Sequence, residues 1–153
     1  MKLINEKNIG KIGQIISSTI SSGEKVVVLA GNEEFNRKVL EKKDIDVLLF
    51  SNLFGKDKLK QRDSGLNQVL CKLANKNDIA IGVDLKQLDS GSDFDKSVYL
   101  ARLMQNIRLC KKFKVKMIIL NVKENNKKDL NSFLLTLGMD TKMAKFAVEN
   151  SFS

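Results

Sequence analysis

Four short apolar runs set the tightest limit on how this chain can fold: KVVVLA (Lys25–Ala30), VLLF (Val47–Phe50), IAIGV (Ile79–Val83) and KMIIL (Lys116–Leu120). Each is rich in β-branched residues or Leu, and none alternates with polar residues. Runs of that length without alternation read as strands covered on both faces, the pattern of a parallel sheet. Helical periodicity fills the intervals. Ile9, Ile12, Ile15, Ile16 and Ile20 recur at helical spacing over Ile9–Ser22. A second helix is predicted over Glu33–Lys42 after the turn at Gly31–Asn32, with Asn32 as its N-cap. A third, Ser64–Asn75, places Leu66, Val69, Leu70, Leu73 and Ala74 on one face behind a cap at Asp63 or Ser64. The fourth, Lys96–Phe113, buries Leu100, Leu103, Met104, Ile107 and Cys110, and its opposite face gathers Arg102, Gln105, Asn106 and Lys112. Two more helices, Lys127–Leu137 and Thr141–Ser151, close the chain, with Gly138 as the stop between them.

Strand and helix alternate as far as about Leu120. That order predicts an α/β domain with a largely parallel sheet and right-handed crossovers. A complete (βα)8 barrel needs roughly 200–250 residues. With 153 residues the expectation is a partial TIM-barrel-like (βα) domain, residues 1–153 forming a single unit. The loops Ser51–Lys60 and Asp89–Asp95 are polar and read as mobile.

Composition excludes more than it includes. The chain has no histidine, which removes the usual general base, the usual zinc ligand and every Ser-His or Cys-His nucleophile. Its two cysteines, Cys71 and Cys110, both fall on helical apolar stripes and lack the paired short spacing of a zinc site, so they read as buried reduced thiols. The formal net charge of +9 points to an anionic partner, nucleic acid first. No apolar run approaches the ~20 residues of a membrane span, and Met1–Ser22 has no basic-then-apolar signal pattern. The expected location is cytoplasmic.

The individual motifs argue against catalysis. AGNEEFNR (Ala30–Arg37) joins a strand to a helix where phosphates often bind, yet it has one glycine and no Walker lysine, and Glu33 and Glu34 would repel phosphate. Helix capping is the better reading. Asp84 at a strand end and Asp46 before a strand are lone carboxylates, so the expectation is no catalytic residue and no metal ligand. The segment KLKQRDSGLNQVL (Lys58–Leu70) brings Lys58, Lys60 and Arg62 just ahead of a helix N-terminus, whose free N–H groups could join them in holding a phosphate. A solvated surface loop is the competing reading.

The stretches VVVLAGNEEFNRKVLEKKDIDVLLF, RDSGLNQVLCKLANKNDIAIGVDL and LARLMQNIRLCKKFKVKMIIL resemble archaeal ribonuclease P protein component 3, in order and at compatible spacing. RDSGLNQVL is the most specific piece, and the match runs from Lys25 to Ser151. This resemblance implies a barrel-like α/β protein that binds the ribonuclease P RNA beside protein component 2 and other ribonuclease P protein subunits. The RNA, with its own magnesium, removes the 5′ leader of precursor tRNA, and the protein needs no cofactor. Departures from the family are an N-terminal portion absent or compressed into Met1–Gly23, Gln68 where the family often has His, and SNLFG where it tends to have a proline-containing turn. Carried over by position and by charge, the expected RNA-contacting residues are Arg37, Lys60, Arg62, Arg102, Lys112 and Lys114. Their expected role is phosphate positioning, because no aromatic-rich stacking surface accompanies them.

Two alternatives come from other classes. A metal-dependent phosphoesterase of the related histidinol-phosphatase-like barrel group would need clustered His and carboxylate ligands, which the sequence does not offer. A pure protein-interaction module would use the open strand edge that a partial barrel leaves.

Overall fold

The structure is a computed structural model and describes residues 1–51, 53, 59, 62–89, 91–122 and 126–152. Five strands form one sheet in the order β1-β2-β3-β4-β5, each parallel to its neighbour. They are β1 (Lys2–Ile4), β2 (Val26–Leu29), β3 (Val47–Phe50), β4 (Ala80–Asp84) and β5 (Met117–Leu120). Six helices accompany them: α1 (Ile9–Ser21), α2 (Glu33–Glu41), α3 (Gln68–Lys76), α4 (Asp93–Lys112), α5 (Lys127–Thr136) and α6 (Thr141–Glu149), with a 3-10 turn at Leu85–Leu88. This is the partial TIM-barrel-like α/β fold. A strictly sequential strand order winds the chain in one direction, so the crossover helices share one face of the sheet.

That helical face carries the larger core. Val26, Val28, Leu48, Ile81 and Ile119 point from the strands against Ile12 and Ile16 of α1, Val39 and Leu40 of α2, and Leu103 and Ile107 of α4. Each such side chain, fully buried, contributes about 1.5–3 kcal/mol. The opposite face corresponds to a barrel interior. There Val27, Val47, Leu49, Ala80, Ile118 and Leu120 pack on one another, and Phe146 and Phe152 lie against them. The strands therefore need apolar residues at successive positions, which is why their runs do not alternate. Gly82 sits on this inner face, and a Cβ there would come within 2.8 Å of Val47 Cγ1 and 3.2 Å of Leu49 Cδ1.

The sheet edges differ. The outer edge of β5 is covered by the C-terminal segment, where Phe152 N–H donates to the Ile119 carbonyl and Val122 N–H to the Phe152 carbonyl, both at 3.1 Å. The outer edge of β1 has no strand partner among the described residues.

Several element boundaries move from their sequence expectation. The helix expected from Ser64 begins at Gln68 with Asn67 as its cap, its Oδ1 accepting from Leu70 N–H at 3.0 Å. Asp63 instead closes a short turn onto Gly65 N–H at 2.9 Å, and Gly65 at φ +81 cannot continue a helix. Val69, expected inside, is exposed. The fourth helix starts earlier, at Asp93, through a capping box between Ser92 and Asp95. Cys71 and Cys110 are free thiols and fully buried.

Candidate nucleic-acid interface

The ends of α3 and α4 fold back on themselves in the same way. Ile79 N–H reaches the Ala74 carbonyl at 2.9 Å, and Val115 N–H reaches the Cys110 carbonyl at 2.9 Å, the six-to-one bonds of a Schellman motif. The left-handed position of that motif is Asp78 after α3 (φ 54) and Lys114 after α4 (φ 56). Asp tolerates the conformation. For Lys it costs about 1–2 kcal/mol relative to the right-handed region. Lys114 thus stands at the N-terminal edge of the sheet on a backbone that glycine would fit better.

Lysines collect around it. Lys111 of α4, Lys114, Lys116 ahead of β5 and Lys142 of α6 line a cavity of about 480 Å³. The cavity also meets the partly exposed side chains of Met143 and Phe146, and the Lys116 ammonium lies 5.7 Å from the centre of the Phe146 ring. Two carboxylates are close. Asp140 caps α6, its Oδ1 accepting from Met143 N–H at 2.8 Å, and Asp78 takes the Lys116 ammonium at 2.7 Å. The salt bridges of the described residues include Lys116 but neither Lys114 nor Lys142. Beside this cavity, Lys112 lies 5.5 Å and Lys72 5.9 Å from the centre of the Phe113 ring.

A second cavity, about 520 Å³, opens at the other edge, where the strands end. Arg62, Asp63 and Glu33 contribute its charges, and Gly31, Asn32 and Asn67 its backbone turns. Glu33 is bound to Asn67 Nδ2 at 2.7 Å. Asn36, buried in α2, holds the turn after β2 by accepting from Gly31 N–H at 2.7 Å and donating to the Gly31 carbonyl at 3.1 Å. The turn motif AGNEEFNR is therefore a capping and clamping device. The Asn32 cap is as expected, its Oδ1 accepting from Phe35 N–H at 2.8 Å. Among the described residues that line it, one arginine stands against two carboxylates.

The sequence-selected basic residues separate accordingly. Arg37 is exposed on α2 and paired with Glu41 at 3.2 Å, an (i, i+4) contact of the kind that contributes a few tenths of a kcal/mol. Arg62 is exposed, and its carbonyl accepts from Gln105 Nε2 at 3.0 Å. Lys112 and Lys114 are exposed at the lysine edge. Lys60 lies outside the described residues. Arg102 is the correction. It is 2% exposed, and its guanidinium donates to the Leu53 carbonyl. The buried stripe of α4 runs through Tyr99, Arg102, Leu103, Asn106, Ile107 and Cys110, rotated from the expected one. Arg102 and Asn106 are inside it, while Met104 is exposed. Arg102 is bonded to Leu53, ahead of α3, and is buried rather than exposed at the surface. Lys72, Lys111, Lys116 and Lys142 were not distinguished by sequence. Their only signal was charge, and the fold alone brings them together.

The isolated carboxylates are occupied structurally. Asp46 Oδ2 accepts from Val26 N–H at 2.7 Å, and Asp84 Oδ1 accepts from Lys86 N–H at 2.9 Å and Asn121 Nδ2 at 2.6 Å. Among the described residues no three His, Cys, Asp or Glu side chains come together as a metal site, and no helix is long and apolar enough to cross a membrane.

Sequential parallel strands, an apolar inner face and a lysine-lined rim define a basic partial-barrel protein of the TIM-barrel-like class. Comparison with known proteins makes the assignment particular. No protein-family model matches the chain. Ribonuclease P protein component 3 of Methanosarcina mazei is 33% identical over 114 residues, which is 74% of this chain and 45% of that protein. Its counterpart in Methanocaldococcus jannaschii is 30% identical over 132 residues, 83% of this chain and 54% of that protein. A chain in the cryo-electron microscopy structure of archaeal ribonuclease P with mature tRNA superposes with a TM-score of 0.75 at 25% identity, covering 97% of this chain and 62% of the other. The chain is a homologue of the ribonuclease P protein component 3 family, and it spans about half the length of the curated relatives it matches.

Proposed function

We propose that the chain is a non-catalytic RNA-binding subunit of ribonuclease P, supporting RNA-catalysed removal of the 5′ leader from precursor tRNA. The observation that carries this reading is the joint match, in sequence to component 3 proteins and in fold to a chain of an archaeal ribonuclease P structure with mature tRNA. The chain's own chemistry agrees. It has no histidine, and Lys+Arg outnumber Asp+Glu by 27 to 18. Arg37, Arg62, Lys112 and Lys114 are the exposed cations proposed to position RNA phosphates, with Lys60 as a further candidate. The partners of this reading are the ribonuclease P RNA, protein component 2 and other subunits of the complex. Magnesium is assigned to the RNA, and no cofactor to this chain.

The test is reconstitution. The chain is added to its RNA, with and without component 2, and precursor-tRNA cleavage is measured at limiting magnesium. Added chain should raise the rate when component 2 is present. Binding to the RNA should fall steeply with salt, each neutralised phosphate adding about −0.7 to −0.9 to the log–log slope. Cleavage indifferent to the chain in every combination of subunits would end this reading.

A further inference from the structure

We infer that the cavity at the N-terminal edge of the sheet, between the end of α4, the start of β5 and α6, receives one unpaired nucleotide of RNA, its phosphate on the lysine rim and its base on the Met143–Phe146 floor. The inference rests on the RNA-binding reading above and names where and how a strand is held.

Three independent features lead there. The first is charge. Lys111, Lys114, Lys116 and Lys142 surround the opening, against Asp140 and Asp78. Asp78 already takes Lys116, and Asp140 is committed to the α6 N-terminus. Lys111 donates to the Gly138 carbonyl at 3.5 Å, which leaves Lys114 and Lys142 as the rim ammonium groups without an ion pair among the described residues. The second is the floor. A bare phosphate site is small and polar, whereas this cavity is about 480 Å³ and reaches Met143 and Phe146, with the Lys116 ammonium 5.7 Å from the centre of the Phe146 ring. That size lies within the range of pockets that enclose small organic ligands. An amphipathic anion with a flat apolar part satisfies both rim and floor. Every nucleobase has such a face, and base–aromatic contact tolerates any sequence. A base locked in a duplex cannot reach the floor, so the nucleotide must be unpaired.

The third is Lys114 itself. Its left-handed backbone at φ 56 is a position where glycine is the usual residue, as it is after α5, where Gly138 takes φ 110. A side chain kept where the backbone disfavours it, beside a charged cavity, points to a use for that side chain.

The experiment uses the full chain with its methionine methyl groups labelled by carbon-13, titrated with a single-stranded RNA hexanucleotide, the same hexanucleotide in a duplex, and inorganic phosphate. The single strand should move the Met143 signal and leave Met1 and Met104, which lie elsewhere, in place. Duplex and phosphate should move Met143 far less. In the Lys114→Gly/Lys142→Ala double variant the Met143 response should vanish, and the log–log salt slope of hexanucleotide binding should shrink by about 0.7, the share of the one phosphate held on the rim. Lys114→Gly alone should melt no lower than the parent, which separates lost binding from lost folding.

Equal Met143 shifts with duplex and single strand would overturn the unpaired-nucleotide assignment. A hexanucleotide that binds without moving Met143, or that binds the double variant as tightly as the parent, would overturn the site. Either result would leave the RNA-binding reading standing, because the reconstitution assay tests that separately.

Discussion

Gly82→Ala tests whether the inner face of the sheet is a packed interior. The added Cβ would lie 2.8 Å from Val47 Cγ1, 3.2 Å from Leu49 Cδ1 and 3.4 Å from Leu120 Cδ1. Val47 is branched at Cβ and pinned within the strand, so it cannot swing aside. Forcing a methyl into a close-packed core costs about 1–3 kcal/mol. Alanine is better than glycine in a strand by about 0.5–1 kcal/mol, which offsets part of that. The net loss is about 0.5–2 kcal/mol, and at about 2–4 °C per kcal/mol for a chain of this size the melting temperature should fall by about 1–8 °C. Val47→Ala alone should cost about 1.5–3 kcal/mol, the worth of a buried valine side chain. In the double variant the new methyl at position 82 enters the room vacated by Val47 Cγ1, so the two losses should not add. A coupling of about 1–2 kcal/mol in favour of the double variant is expected, measured by thermal and urea unfolding followed by circular dichroism. If Gly82→Ala proved as stable as the parent, or the two losses simply summed, the inner face would not be the filled interior described above.

Other expectations follow from single contacts. Arg102→Ala should lower stability by about 2–3 kcal/mol through loss of the charged hydrogen bond to the Leu53 carbonyl, while Arg62→Ala, at an exposed site, should stay within about 0.5 kcal/mol; equal melting temperatures for the two would refute the structural role of Arg102. Hydrogen bonds from the Ser92 side chain and backbone hold the Asp95 carboxyl below its usual range. A lowered folded-state pKa means that the unfolded chain takes up the proton more readily, so this contribution is complete above about pH 4 and fades as pH falls through the folded value. Asp95→Asn should remove that part of the acid sensitivity, and acid titrations of the two proteins that superpose would contradict it. A hydrogen bond to Cys71, together with burial, pushes the Cys110 thiol well above its ordinary value. Both thiols should resist a maleimide in the native protein and react on unfolding; rapid labelling of the folded chain would show that the α3–α4 seam opens.

The strands and the partial barrel were legible in the sequence because apolar runs that never alternate admit few folds. β1 escaped notice, since Lys2–Ile4 is three residues long and buries only Ile4. Leu66 mimicked a helical position ahead of α3, although it belongs to the loop that Gly65 turns. The burial of Arg102 and Asn106 was hidden for a different reason. Periodicity ranks side chains by polarity, whereas Arg102 goes inside because it meets the Leu53 carbonyl there; no contact accounts for the burial of Asn106. Of the basic residues chosen by resemblance and charge, Lys112 and Lys114 stand at the lysine edge, but their neighbours there could not be read from a linear sequence. The cavity lysines come from two segments about 25 residues apart, and only the return of α6 to β5 makes them one surface.

Helix α4 has a consequence for how the molecule meets its partner. It is a rod of 20 residues, roughly 30 Å long, with Asp93 and Asp95 in its first turn and Lys111 and Lys112 in its last. Lys96 beside Asp93 and Asp95 leaves the first turns one net negative charge against two positive charges in the last turn, and the backbone dipole offsets about half a charge at each end. A phosphate chain drifting nearby is pushed from one tip and drawn to the other while still in solvent. If the chain binds RNA as proposed, this asymmetry favours approach at the lysine end, and raising the salt concentration should slow arrival more than it hastens departure.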